Sequence, residues 1–381
     1  METDHVSLYA VGDVAAFFKN PESMFVHTAA ILNEADITFG QNERHYTDRY
    51  SMEHDLMPGV PMTEICPSGH AAALKGGGFD VMSFASNHCM DLGPDAMLET
   101  IEALERNGFA VIGAGRNMEE ARKPAIFERK GTKIAYLAYC SVLRPGWEAG
   151  ANRPGCAPMR ASTFYQQIDY QPGTPPAIIS LANREDLEAM KEDIRKVRPL
   201  ADIVVASFHW GIHFIPGAIA MYQREVAHEA IDAGVDLILG HHPHILKGIE
   251  VYRRKAIFYS MGNFAFDLPQ SVRTARLKVL GKKHAFHSVK VDPEYADHYA
   301  WPAESRKSMI VKCRIAKKKI EKLSFLPVLI NTKAQPVVVS RDDDFQEALS
   351  NIRELSVSQE LNTEFLAQDG EIVVAASSEH S

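Results

Sequence analysis

The chain has few cysteines: five in 381 residues, odd in number and scattered, with no C-x-x-C pair. That argues against a disulfide framework and fits a reduced, cytoplasmic setting. Cys89, beside His88, reads as a small residue filling space at a strand end, because nothing in the sequence lowers its thiol pKa. No apolar run reaches membrane-spanning length. The N-terminus lacks the basic region and apolar segment of a signal peptide. An excess of basic charge is also missing. Lys and Arg number 41 against 49 Asp and Glu, and the net charge of -8 argues against a general nucleic-acid binder. There is no G-x-x-x-x-G-K-[ST] loop, and Gly113-Ala114-Gly115 lacks the third spaced glycine of a dinucleotide fingerprint. Without a G-x-S-x-G elbow, Ser260 has no claim to be a nucleophile.

What is present is an ordinary soluble composition, 46% hydrophobic and 24% charged, in a chain long enough to bury a large core. Strands and helices alternate, so an α/β class is expected. Strands are expected at 6–11, 35–39, 81–85, 110–112, 133–139, 202–208, 236–239 and 256–259. Helices are expected at 22–35 and 71–76, from Pro94 to a stop at Gly108, through Leu187, Met190, Ile194 and Val197, and at 220–233. Residues 45–70 read as a loop or lid and 144–176 as a surface excursion, both rich in turn formers. The expected organisation is a core over 1–266 and a basic, aromatic insertion or lid at 267–308. A hairpin (309–315 with 322–330), a helix at 345–355 and a strand at 372–374 complete the same domain over 309–376. A disordered tail follows at 377–381.

The stretch Gly240-His241-His242-Pro243-His244 is hard to justify by packing. Protonated together the imidazoles repel, and buried without partners they cost free energy. Neutral imidazole is a metal ligand, which offers one resolution. The stretch is not isolated. Asp13, Glu43, Asn87-His88, His209, His242 and His244 all arrive at strand ends, where open α/β sheets place their chemistry. Oxygen and imidazole donors without cysteine match a centre for Zn, Fe or Mn rather than a structural zinc site. That many ligands suffice for two metals with a bridging group. Capping is the competing reading for Asp13 and Glu43, a local turn for Asn87 and packing for Trp210.

The joint pattern resembles the CapA family, the poly-γ-glutamate (capsule) biosynthesis group within the calcineurin-like metallophosphatase superfamily. The resemblance rests on Gly12-Asp13, Gln41-Asn42-Glu43, Asn87-His88 with Asp91 and Gly93, His209-Trp210-Gly211, Gly240 to His244, and Tyr259 through Phe264. It implies a four-layer αββα metallophosphatase-like sandwich with a metal site at the strand ends. It implies one or two divalent ions held by Asp13, Glu43, Asn87, His209, His242 and His244. His88 would be the acid/base or oxyanion group, oriented by Asp91. Three departures stand out: Ala15 replaces the histidine of the wider D-x-H motif, Gln41 replaces an asparagine, and His213 stands where an acid is usual. The family's membrane anchor is not seen.

Arg44, His213 and Trp210 are candidate substrate contacts, and His241 stays open between packing and ligation. The expected function is a soluble metal-dependent hydrolase acting on a phosphoester, ester or amide, γ-glutamyl or otherwise anionic. The alternative is a non-hydrolytic component of poly-γ-glutamate or capsule assembly working with a membrane partner.

Overall fold

The computed structural model describes residues 5–49, 66–268, 293–295 and 299–376. Most of the expected lid at 267–308, the middle of the loop at 45–70 and the tail at 377–381 lie outside the described residues.

Strands β1 (Val6–Ala15), β2 (Ile37–Asn42), β3 (Val81–Ser83) and β4 (Ala110–Ile112) lie parallel in one sheet. β5 (Ala114–Gly115) leaves it for a small ribbon, and β6 (Ala125–Arg129) and β7 (Thr132–Cys140) open a second sheet. β8 (Gly155–Cys156) pairs with β5, and β9 (Ala161–Gln166) with β10 (Ala177–Ala182) forms a separate hairpin. β11 (Ile203–His209), β12 (Leu237–His241), β13 (Ile249–Tyr252) and β14 (Lys255–Phe258) complete the second sheet in the order β13-β14-β12-β11-β7-β6. The chain then returns to the first sheet with β15 (Asn263–Phe266), β16 (Lys307–Ala316), β17 (Lys319–Ile330), β18 (Pro336–Val338), β19 (Glu364–Gln368) and β20 (Glu371–Ala375). Its order is β19-β20-β17-β16-β1-β2-β3-β4, with β15 also on β1 and β18 on β17.

Side-chain parity sets the layers. Along β1, Leu8 and Ala10 enter a core shared with Tyr136, Val205 and Leu239 of the second sheet. Tyr9 and Val11 face the opposite way, toward Phe25, Leu74 and Leu104. Along β11, Ile203 and Val205 face the inter-sheet core, while Val204 and Ala206 face the opposite way, toward Met190, Ile194, Val226 and Ala230. The helices are α1 (Ala29–Leu32), α2 (Gly93–Arg106), α3 (Met118–Ala121), α4 (Arg184–Val197), α5 (Met221–Ala233) and α6 (Asp342–Val357). In α4, Leu187, Met190, Ile194 and Val197 fall on one buried stripe, and Asn183 caps its N-terminus by accepting from the Asp186 N–H. Two sheets face to face with helices outside give the four-layer αββα sandwich. β7, β11 and β12 are buried on both faces, which is why they read as near-continuous apolar runs.

Several local expectations change. The helix at 22–35 is a single α-turn, Ala29–Leu32, preceded by a 3-10 turn at Pro21–Ser23. The short helix at 71–76 is a 3-10 helix over Ser68–Gly77. The excursion at 144–176 contains β8 and β9. The first strand does not stop at Val11. β15 pairs with it at Asp13, Val14 and Ala15, and the register shifts between Asp13 and Val14. Asp13 therefore sits at a bulge inside β1 rather than beyond its end.

Candidate metal centre

Two motif glycines bring the strands of the site together. A Cβ on Gly12 would lie 2.1 Å from the Gly262 carbonyl oxygen, and one on Gly240 would lie 2.3 Å from that of Tyr259. β1 and β12 can approach the 259–262 segment this closely only without side chains at those positions. Beyond β12 the backbone reverses hand: His242 has φ 93° and His244 φ 56°. Positive φ is costly for residues with a Cβ and collects at functional sites.

These devices deliver the side chains to one buried place. Glu43, His209 and His242 form one group whose ligand atoms all lie within 4.8 Å of one another, and Asp13, Glu43 and His244 form a second. Glu43 belongs to both. Its Oε1 is 3.6 Å from His209 Nε2 and 3.5 Å from His244 Nε2. Asn87 joins the first group, its Oδ1 2.7 Å from His209 Nε2. Asp13 reaches His244 Nδ1 through Oδ2 and His241 Nδ1 through Oδ1, each at 3.3 Å.

The donors fit a divalent cation. Asp13 is fully buried, and among the described residues neither of its oxygens accepts a well-aligned hydrogen bond, the His241 and His244 imidazoles standing 3.3 Å away; His242 Nδ1 has no hydrogen-bond partner either. Each such group costs about 1–3 kcal/mol when left unsatisfied. Burial raises the Asp13 carboxyl, but the His241 and His244 imidazoles outweigh it and hold the group well below the usual carboxylate range. Burial first, then neighbouring imidazoles, push His242 far down; burial does the same to His209. Ionised carboxylate and neutral imidazole are the forms that ligate metals.

Around these lies a supporting layer. His88 Nδ1 donates to Asp91 Oδ2 at 2.5 Å, and His88 Nε2 stands 3.9 Å from Glu43 Oε1. Burial, with the Arg44 charge beside it, lowers His88 to about 4. Asp91 is pushed up by burial and held down by His88, with a net lowering. His244 Nδ1 is 2.8 Å from Asn263 Oδ1. Asn263 Nδ2 in turn donates to the Tyr299 hydroxyl at 2.8 Å, and that hydroxyl donates to the Ser305 carbonyl at 2.6 Å. The Trp301 ring lies over His244, with centroids 4.4 Å apart.

The structure thus gathers Asp13, Glu43, Asn87, His88, Asp91, His209, His242 and His244. His213 joins them, its ring 3.9 Å from that of His242. His241 lies beneath Asp13 against Phe39, ring to ring at 5.7 Å, outside both ligand groups. Trp210 is not placed as a substrate contact. It is fully buried, stacked on Phe208 at 4.6 Å, and its Nε1 donates to the Tyr259 carbonyl, so its role is packing. Tyr299 and Trp301 were not foreseen as parts of the site; the expected insertion hid them, and a run of aromatic residues was the only signal. Among the described residues no helix is long and apolar enough to cross a membrane.

Known proteins give the arrangement its context. The family model described as bacterial capsule synthesis protein PGA_cap matches residues 7–268. The PGA biosynthesis protein CapA of Bacillus subtilis is 31% identical over 255 residues, which is 65% of this chain and 58% of that protein. The capsule biosynthesis protein CapA of Bacillus anthracis is 31% identical over 195 residues, 51% of this chain and 42% of that protein. The chain thus matches only about half of each of these relatives. A calcineurin-like phosphoesterase from Bacillus subtilis, 12% identical, aligns over 93% of this chain and 98% of its own with a TM-score of 0.41. With a family match over more than half its length, on the segment that carries every proposed ligand, the chain belongs to the bacterial capsule synthesis protein family PGA_cap.

Proposed function

We propose that this chain is a metal-dependent hydrolase acting on an anionic small molecule or oligomer. Asp13, Glu43, Asn87, His209, His242 and His244 would hold one or two divalent ions of the manganese, iron or zinc type. The observation that carries the reading is the membership of Glu43 in both ligand groups, because a carboxylate within reach of two neighbouring groups suits a two-metal centre. Ions bound there supply activation of water and polarisation of a phosphoester, ester or amide. The chain's own residues do the rest. Asp91 accepts the Nδ1 proton of His88, which fixes the tautomer and turns Nε2 toward the centre. From there Nε2 can take up a proton and return it to a leaving group. Asn263, itself held by Tyr299, orients His244. Such outer partners fix ring orientation and tune ligand strength.

A second reading has support in the names of the relatives, which include biosynthesis proteins and a probable polyglutamine synthesis accessory protein of Mycobacterium tuberculosis. In that reading the chain binds metal but serves capsule or polyglutamate assembly with a membrane partner and hydrolyses nothing. Metal analysis of the purified protein, followed by a screen of phosphoesters, esters and amides with and without chelator, separates the two. Hydrolysis that needs metal and is lost in His209→Ala and His244→Ala supports the first. Bound metal without hydrolysis of any bond class supports the second, and a protein that takes up no metal sinks both.

A further inference from the structure

Arg44 follows the shared ligand Glu43 directly and is only half buried. Its guanidinium lies between two rings, 5.3 Å from the centroid of Phe266 and 5.9 Å from that of Phe17. Phe266 is in turn edge-on to His244, 5.7 Å between centroids, and to Trp301 at 5.1 Å. One ring therefore separates this cation from a proposed metal ligand. The backbone beneath it is pinned, because Asn42 Nδ2 donates to the Arg44 carbonyl at 2.9 Å. The guanidinium spends one hydrogen bond on the Glu43 carbonyl, at 3.1 Å from Nη1. No carboxylate among the described residues lies within ion-pair distance of it. A guanidinium has five N–H donors in a rigid fork, and among the described residues this one donates a hydrogen bond only to the Glu43 carbonyl. The two rings hold the guanidinium in place, and its partial burial lowers the screening of an anion that meets it.

We infer that Arg44, framed by Phe17 and Phe266, is a subsite for a carboxylate of the substrate, separate from the group that reaches the metal centre. The inference rests on the hydrolase reading for the location of the reacting bond, but the subsite itself needs only binding. A single planar fork suits one planar carboxylate in bidentate contact. A phosphate dianion carries more charge than one guanidinium offsets.

The test is calorimetric binding of the α,ω-dicarboxylates succinate, glutarate and adipate, of their monomethyl esters and of inorganic phosphate. Wild type, Arg44→Gln and Arg44→Lys are compared, each metal-loaded and each in chelator, with metal content measured on every sample. At least one diacid should bind wild type about 10- to 100-fold more tightly than its monoester, the range expected for hydrogen bonds to a charged group. Arg44→Gln should bring diacid and monoester level while metal content stays unchanged, and Arg44→Lys should keep part of the preference. A diacid preference that survives Arg44→Gln overturns the subsite. So does phosphate binding that depends more strongly on Arg44 than diacid binding does. Wild type without metal, but with an Arg44-dependent diacid preference in chelator, would sink the hydrolase reading and leave the subsite standing.

Discussion

Replacing Asp13 with Asn tests the two-group arrangement directly. The change removes a charged donor from the group it shares with Glu43 and His244, and leaves Glu43, His209 and His242 intact. Asp13 is fully buried and among the described residues its oxygens accept no well-aligned hydrogen bond, so as Asn it loses its charge toward a cation and toward the His241 and His244 imidazoles 3.3 Å away; the chelator arm of the assay removes the second effect from the comparison. Metal held at 100 times its dissociation constant stabilises the fold by about 2.7 kcal/mol. Changes to groups that merely support ligands weaken metal binding by about 10- to 100-fold. Loss of a ligand's own charge should reach at least the upper figure. That brings the metal concentration to about its dissociation constant, where the linked stabilisation falls to about 0.4 kcal/mol. The metal-dependent part of stability should therefore drop by roughly 2 kcal/mol. The assay is denaturant unfolding of both proteins with metal and with chelator, compared as a double difference, alongside metal counting. One ion should remain in Asp13→Asn, and Glu43→Gln should weaken both. Asp13→Asn with unchanged stoichiometry and an unchanged metal increment would refute the arrangement.

Two further perturbations probe the frame of the site. Burial lowers Lys247 to about 7, and its ammonium donates to the Ile215 carbonyl. Because the folded-state value lies below that of the unfolded chain, the charged form is penalised fully below pH 7. The penalty fades as pH rises toward the ordinary lysine range. Lys247→Met should thus raise stability more at pH 6 than at pH 10, the burial penalty of on the order of 4 kcal/mol at pH 6 being offset in part by loss of the bond to the Ile215 carbonyl; a gain independent of pH would contradict this. Gly240→Ala would place a Cβ 2.3 Å from the Tyr259 carbonyl oxygen and 2.5 Å from that of Phe258, both rigid backbone. It should cost about 1–3 kcal/mol in denaturant unfolding and weaken metal binding in parallel. A Gly240→Ala protein with unchanged stability and affinity would show that the close approach is dispensable.

The proposed ligands were legible because their chemistry disagrees with their surroundings. His209 follows a run of apolar residues in β11, and a polar group at such a place asks for a reason. The supporting residues carry no such contradiction. Tyr299 and Trp301 look like ordinary aromatic residues, and only the return of the chain to the first sheet sets one on Asn263 and the other over His244. The full length of β1 was hidden for a related reason, since past the register shift its last residues pair with β2 on one side and with β15, some 250 residues later, on the other. β6, β13 and β19 are short strands that lie at or beside sheet edges and bury only part of their length, so their periodicity is weak.

His241 is the instructive case, because the sequence held more about it than its neighbours suggest. Leu237 and Leu239 face the inter-sheet core and Ile238 faces away. Strand alternation has a period of two, so His241 must continue on the Leu237 side for as long as β12 stays extended. It does, and its ring meets Phe39 of the opposite sheet directly below Asp13. The alternation breaks only at His242, where φ turns positive. That reversal frees His242 and His244 from the sheet and turns them to Glu43, while Pro243 between them fixes its own φ. The three histidines therefore divide by backbone geometry rather than by chemistry. The last residue of the strand lies against Asp13 from within the core, and the two histidines beyond it fall in the proposed ligand groups.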